Sequence, residues 1–253
     1  MKKLIAFGVI ILFFFVSVIP STGTIAEKKS NPPILDGNTL YVGGSGGGNY
    51  STIQSAINDA NPGDTVFVFD ESSPYYEHVT LNKVIDLIGE DKNTTIIDAE
   101  DIGSVIVIDS PGVNITGFTI RKCEYYPPNA GIRVKTSDNR IYGNIISKNE
   151  GYGIYIQSPN NLVFDNIISE NNYGINIETR RNEIINNHIK NNYNKGIQLL
   201  RGNNLISGNS IIYNGDGGLW TCGIQIWYGE NNEYNEIINN VISNNNPTGI
   251  IVE

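Results

Sequence analysis

Apolar residues recur along this chain in a fixed order. From Gly131 onward each unit opens with Gly-Ile and then alternates: Ile132 and Val134, Ile154 and Ile156, Ile175 and Ile177, Ile197 and Leu199, Ile224 and Ile226. A period of two marks a strand with these side chains on one face. Two single apolar positions follow in each unit, the first at Ile141, Val163, Ile184, Ile206 and Ile237, the second at Ile146, Ile168, Ile189, Ile211 and Ile242. Asn stands between them in three columns. The first is Asn139, Asn161, Asn182, Asn204 and Asn235, the second Asn144, Asn166, Asn187, Asn209 and Asn240, and the third Asn149, Asn171, Asn192, Asn214 and Asn245.

The Gly-Ile starts at Gly131, Gly153, Gly174, Gly196, Gly223 and Gly249 define a unit of about 22 residues. A repeat of this length with three short strands, three corners and no helix predicts one coil of a right-handed parallel β-helix. A leucine-rich repeat would need Leu-x-x-Leu-x-Leu spacing, whereas the columns here are Ile and Val, which suit strands. Stacked Ile columns are expected to fill the cylinder. The Asn columns are expected at the corners, where Asn tolerates left-handed backbone and passes amide hydrogen bonds from coil to coil. About eight coils are expected.

Upstream, Leu40-Tyr41-Val42 reads as a short strand, followed by the loop Gly43 to Gly48. Ser51, with Gln54 three residues on, predicts a capping box. Ile53, Ala56, Ile57 and Ala60 then form the apolar face of a helix suited to cover the open end of the coils. The Gly run lacks the Lys-Ser/Thr of a phosphate loop and the spacing of a dinucleotide loop. The expected organisation is a signal peptide at 1–26, a linker at 27–39, an N-terminal cap with the first coils at 40–101, and coils without a C-terminal cap at 102–253.

The first segment carries Lys2 and Lys3, an apolar run from Leu4 to Ile19, and Thr24-Ile25-Ala26 as a small-x-small cleavage site. Retention as an anchor is the alternative. The chain is therefore expected to be secreted or held at the cell surface, with no other membrane contact. Net charge is −9 over 253 residues, and cleavage would remove two lysines. Such an acidic surface disfavours nucleic acid and anionic lipid as partners. Cys123 and Cys222 lie about four coils apart, roughly 19 Å at about 4.8 Å per coil, so no disulfide is expected. Cys123 is placed near a corner and Cys222 in an inserted loop.

The stretch from Leu40 to Asn58, then Pro62-Gly-Asp-Thr-Val-Phe-Val, Tyr76-Glu-His-Val and Leu87-Ile-Gly-Glu, resembles the opening of pectin-lyase-like right-handed β-helix proteins. With the Asn-rich coils behind it, the chain is similar to the NosD-type β-helix proteins exported by many archaea, methanogens among them. The resemblance covers 40–253. It implies a fold and, at most, a saccharide ligand, since that superfamily includes lyases, hydrolases, esterases, epimerases and proteins with no known reaction. The Asn-Thr-Asp, Asp-Asp and Gly-His-Gly motifs of polygalacturonases do not occur, nor do the catalytic Gln and paired Asp motifs of pectin methylesterases. No catalytic residue is assigned. The copper associated with the NosD name would need Cys, His or Met ligands, and the chain has two His, His78 and His188, and one Met, Met1. No metal and no cofactor are expected.

Binding chemistry is sought on the outer side of the Gly-Ile strands. There Arg133, Tyr155, Gln198 and Gln225 run beside Lys135, Gln157, Glu178 and Trp227, with Trp220 and Tyr126 in nearby insertions. Aromatic rings among amides and charges suit sugar rings and hydroxyls. Period breaks at 124–130, 215–222 and 228–234 mark loops that project from the coil. The expected function is a carbohydrate-binding or structural module whose partner is an extracellular or cell-wall polysaccharide. The alternatives are a lyase or glycoside hydrolase acting on an acidic glycan along the Gly-Ile face, and a surface component that assembles end to end. Asn49 and Asn93 are expected as exposed glycosylation sequons, and Asn114 as a corner residue.

Overall fold

The computed structural model describes residues 37–227 and 234–253. The expected signal peptide, the linker up to residue 36 and most of the 228–234 insertion lie outside the described residues.

Three all-parallel sheets run side by side along the chain, with nine, eight and eight strands. Together they form a right-handed β-helix of about nine coils, one more than expected. In each coil a strand of the nine-stranded sheet leads to a strand of one eight-stranded sheet and then to a Gly-Ile strand of the other, as in Arg140–Tyr142, Ile145–Ser147 and Tyr152–Ile156. The sheets cross residue 101 without a break. Strands Thr65–Val68, Tyr75–Tyr76 and Val79–Leu81 already belong to the same three sheets as the later coils.

The alternation in the sequence is explained by burial. Ile132, Ile154, Ile175, Ile197 and Ile224 are in register and fully buried, as are Ile141, Val163, Ile184 and Ile206. At about 4.8 Å per rung, identical β-branched side chains stack in contact and exclude water along the axis.

All three Asn columns form continuous hydrogen-bonded ladders. Asn139, Asn161, Asn182 and their counterparts as far as Asn214 are only 0–2 % exposed. In each column the Oδ1 atom accepts from the backbone N–H and from Nδ2 of the Asn one coil earlier. Asn166 Oδ1, for instance, accepts from Asn144 N at 3.0 Å and Asn144 Nδ2 at 3.2 Å. Asn166 Nδ2 in turn donates to the Ile141 and Phe164 carbonyls and to Asn187 Oδ1. The side chain thereby satisfies backbone groups that the corner removes from the sheets. At the head of each ladder stands an apolar residue, Val113, Phe118 or Cys123, which contributes only its backbone N–H.

The left-handed residue of each corner is not the ladder Asn, as expected, but the residue before it. Lys148, Asp165, Arg181, Asn203 and Tyr213 all have φ between 55° and 60°. Asn114 is likewise displaced from its expected place. Val113 holds the corner position, while Asn114 is in register with Arg140 and donates to Asp86.

The Gly of each Gly-Ile pair answers to space. A Cβ on Gly174 would meet the Gly196 carbonyl oxygen at 2.3 Å and the ladder amide of Asn192 at 3.0 Å. The third ladder and the start of the Gly-Ile strand thus approach as closely as bare backbone allows.

Ile53–Asp59 is the cap helix, with Ile53, Ala56 and Ile57 fully buried against the first coils. Its N-cap is Thr52 rather than Ser51, and Thr52 Oγ1 accepts from Ser55 N. The Glu77 carboxylate accepts from the N–H groups of Ile53 and Gln54. Gln54 does not reach back to close a capping box, because its amide is exchanged with the backbone of Thr80. At the other end Lys83 Nζ donates to the carbonyls of Ile57, Asn58 and Ala60 at 3.1, 2.6 and 2.7 Å. Unpaired groups at both helix ends are therefore met by charges of the sign that suits the helix dipole.

Candidate functional site

The outer row of the Gly-Ile sheet is closed by its own contacts. Arg133 Nε donates to Gln157 Oε1 at 2.8 Å, and Lys135 pairs with Asp109. Gln198 Nε2 donates to Gln225 Oε1, and Gln225 Nε2 to Glu253. Tyr155 and Gln225 are buried, against the expectation of an open face. Burial pushes the Tyr155 phenol up, and its hydrogen bond to the Glu178 carboxylate adds to the rise. A phenol so placed keeps its proton, the reverse of what a catalytic base requires. Trp220 and Trp227 are exposed but stand at opposite ends of the strand Cys222–Ile226. None of the ten expected binding residues lines the cavity at the third corner.

A cavity of about 930 Å³ lies instead along the third corner, beside the Asn149–Asn171 ladder. Three successive coils contribute to it. Tyr152 and Tyr173 each open a Gly-Ile strand, in register with each other and with Lys195. Their ring centroids are 5.1 Å apart, and Tyr152 also stacks on Tyr155 at 4.8 Å. Tyr193 forms the far edge, with the Asp216 carboxylate near its phenol. The Gly218 amide, and after it Tyr193, lower the Asp216 carboxyl. Lys148, Glu150 and Glu170 supply the charges.

The near wall is the inserted loop 124–130, which contributes Tyr125 and Pro127. Tyr125 meets Tyr126 edge-on at 6.0 Å, so Tyr126, like Tyr155 against Tyr152, adjoins a lining ring without lining the groove itself. The loop is fastened at its base. Asn129 Nδ2 donates to Glu124, and the Asn129 carbonyl accepts from Tyr152 N. Gly151 lets the loop lie close, since a Cβ there would meet the Asn129 carbonyl oxygen at 2.3 Å. This wall of the cavity is thereby set by backbone packing.

Lys195 is buried, with its Nζ 5.1 Å from the centroid of the Tyr173 ring. Burial lowers its ammonium, while Cys222 and Glu253 act in the opposite direction. Cys222 opens the strand Cys222–Ile226 beside Lys195 rather than lying in the inserted loop, and burial pushes its thiol up to about 11. Cys123 is also free and buried, with its thiol pushed up to about 12. Neither is the exposed thiolate that redox or nucleophilic chemistry uses.

Among the described residues no three His, Cys, Asp or Glu side chains are grouped as metal ligands. His78 is tied to the Ser104 carbonyl, and His188 lies on the outer side of strand His188–Lys190. Of the sequons, Asn93 is exposed. Asn49 is half-buried, and its amide nitrogen donates to the Gly43 carbonyl.

No curated protein matches the chain. Among solved structures, ORF18 of Geobacillus virus E2 matches at 16 % identity and a TM-score of 0.47. The match covers 79 % of this chain and 57 % of that one. Residues 103–253 match the family described as right handed beta helix region. With more than half of its length matched, and its coils and ladders in place, the chain belongs to the right-handed β-helix family.

Proposed function

We propose that this protein is an exported, non-catalytic module that holds an extended polysaccharide in the tyrosine groove of the third corner. The observation that carries this reading is the 930 Å³ groove lined by Tyr125, Tyr152, Tyr173 and Tyr193. Tyrosine offers a flat apolar ring for the C–H face of a sugar and a hydroxyl for its polar edge. The ladder corner supplies a rigid floor, and the groove follows the coil axis, as a linear polymer would.

Glycan-array screening of the full chain, followed by calorimetry on hits, tests the reading. Tyr125 and Tyr193 are more than half exposed. Their joint replacement by Ala is expected to weaken binding about tenfold, two stacking contacts of about 0.5–1.5 kcal/mol each. Binding that is indifferent to both would remove the groove from the argument. New reducing or unsaturated ends in a bound glycan would show catalysis instead.

A further inference from the structure

We propose that the groove selects a sugar polymer bearing free, protonated amino groups over neutral or acidic polymers. The inference rests on the glycan-binding reading and specifies its ligand. Three independent observations converge on it.

First, the fold already seats a cation on this tyrosine column. Lys195 continues the Tyr152–Tyr173 column by one rung, and its ammonium lies 5.1 Å from the Tyr173 centroid. Tyrosine faces in this corner therefore present the electron-rich surface that attracts an ammonium. Second, the charges lining the groove are Glu150 and Glu170 against Lys148. Both glutamates are exposed, so their carboxylates can turn toward a ligand. Lys148 holds the left-handed corner position one coil before Glu170. With Lys195 on the Tyr173 face and Asp216 beside Tyr193, three carboxylates face two ammonium groups and leave one negative charge in excess. Lys122, the preceding residue in that corner column, is engaged by Asp98 at 3.2 Å. Third, the chain carries a net charge of −9, which attracts a polycation at long range and repels a polyuronate. An amino sugar combines the features required: an apolar ring face for tyrosine, hydroxyls for the corner amides, and an ammonium for the carboxylates.

Calorimetry of the full chain with glucosamine oligomers, N-acetylglucosamine oligomers, oligogalacturonate and oligolysine decides the matter. It should be run at mildly acidic pH, where the sugar amines are protonated. The glucosamine oligomer is expected to bind about tenfold tighter than its N-acetylated counterpart at low salt, with the advantage shrinking as salt screens it. Glu150→Gln with Glu170→Gln is expected to reduce that advantage about fivefold, read as the ratio of the two oligomers' Kd values on the variant against the same ratio on the unaltered chain. Equal binding of the two oligomers, or tighter binding of oligogalacturonate, would overturn the selectivity while leaving the groove as a glycan site. Tighter binding of oligolysine than of glucosamine oligomers would overturn it in favour of a cationic peptide. Loss of all sugar binding dependence on Tyr125 and Tyr193 would sink the glycan reading itself.

Discussion

Before Val113 every corner of the solenoid has its own set of partners, whereas from Asn139 onward one side chain closes every corner. In the early coils Asp64 accepts from Asn38 N and Asn61 N, Tyr75 donates to the Phe69 carbonyl, and Thr95 Oγ1 accepts from Asp91 N. Buried Asp98 is met by Arg121, Lys122 and the Glu100 amide, whose combined pull outweighs the cost of burial and keeps its carboxyl low. In the later coils the same need is met three times per coil by Asn. Individually fitted corners can terminate a solenoid and seat a helix. Repeated corners can extend it by any number of coils, but every ladder residue depends on its neighbours on both sides.

The sharpest test of that contrast removes one ladder residue. Asn166→Ala leaves Asn144 N without its acceptor and removes one hydrogen bond each from Asn144 Nδ2, the Ile141 and Phe164 carbonyls and Asn187 Oδ1 in a buried corner. Stability is expected to fall by about 3–5 kcal/mol in chemical denaturation, well beyond the ~1 kcal/mol of an ordinary hydrogen bond. A loss near 1 kcal/mol would mean that water replaces the ladder and that the two regions are not different in kind.

Gly174→Ala probes the close approach of the later coils. With the Gly196 carbonyl at 2.3 Å, the coils must separate, and a loss of about 1–3 kcal/mol is expected by the same measurement. At the cap, Lys83→Met removes three hydrogen bonds from the helix end. It is expected to cost about 1–2 kcal/mol, with faster hydrogen exchange confined to residues 53–60. Exchange that spreads into the Asn coils would show that the cap and the ladders open together. The smallest effect is expected at Arg181, an exposed residue with φ of 60°. Arg181→Gly relieves left-handed strain and should raise thermal stability by up to about 1 kcal/mol.

What could be read beforehand follows the same division. The Ile and Asn columns were legible because one contact is repeated by translation, so Ile154, Ile175 and Ile197 report the same environment in turn. The left-handed corner position is mostly Asn, Asp or Gly, as at Asp138, Gly143, Asn160, Asp165 and Asn186, but it was hidden because Lys148, Arg181 and Tyr213 interrupt the column and the ladder Asn stands beside it. The capping box failed at Ser51 because Gln54 is claimed by Thr80, a residue of the following coil that no local pattern names. The binding face was sought among outward strand positions, yet Tyr155 and Gln225 are sealed by lateral pairing. The groove tyrosines come from a loop, two strand starts and a corner, at unlike offsets from the repeat. Only the in-phase pair Tyr152 and Tyr173, each just before a Gly-Ile, could have signalled it.

All Oδ1 atoms of a ladder face the earlier coil, and in the second and third columns, as at Asn166 and Asn171, Nδ2 reaches in both directions. The stack therefore has the translational symmetry of a crystal in one dimension, with one coil as its unit cell. Excising or duplicating one whole coil would bring together surfaces that already match, since Asn187 offers Asn144 the same oxygen that Asn166 does. Any site built across several coils, as the tyrosine groove is, can then change length only in steps of about 4.8 Å. The repeat acts as a ruler, and the size of the ligand that fits is quantised by it.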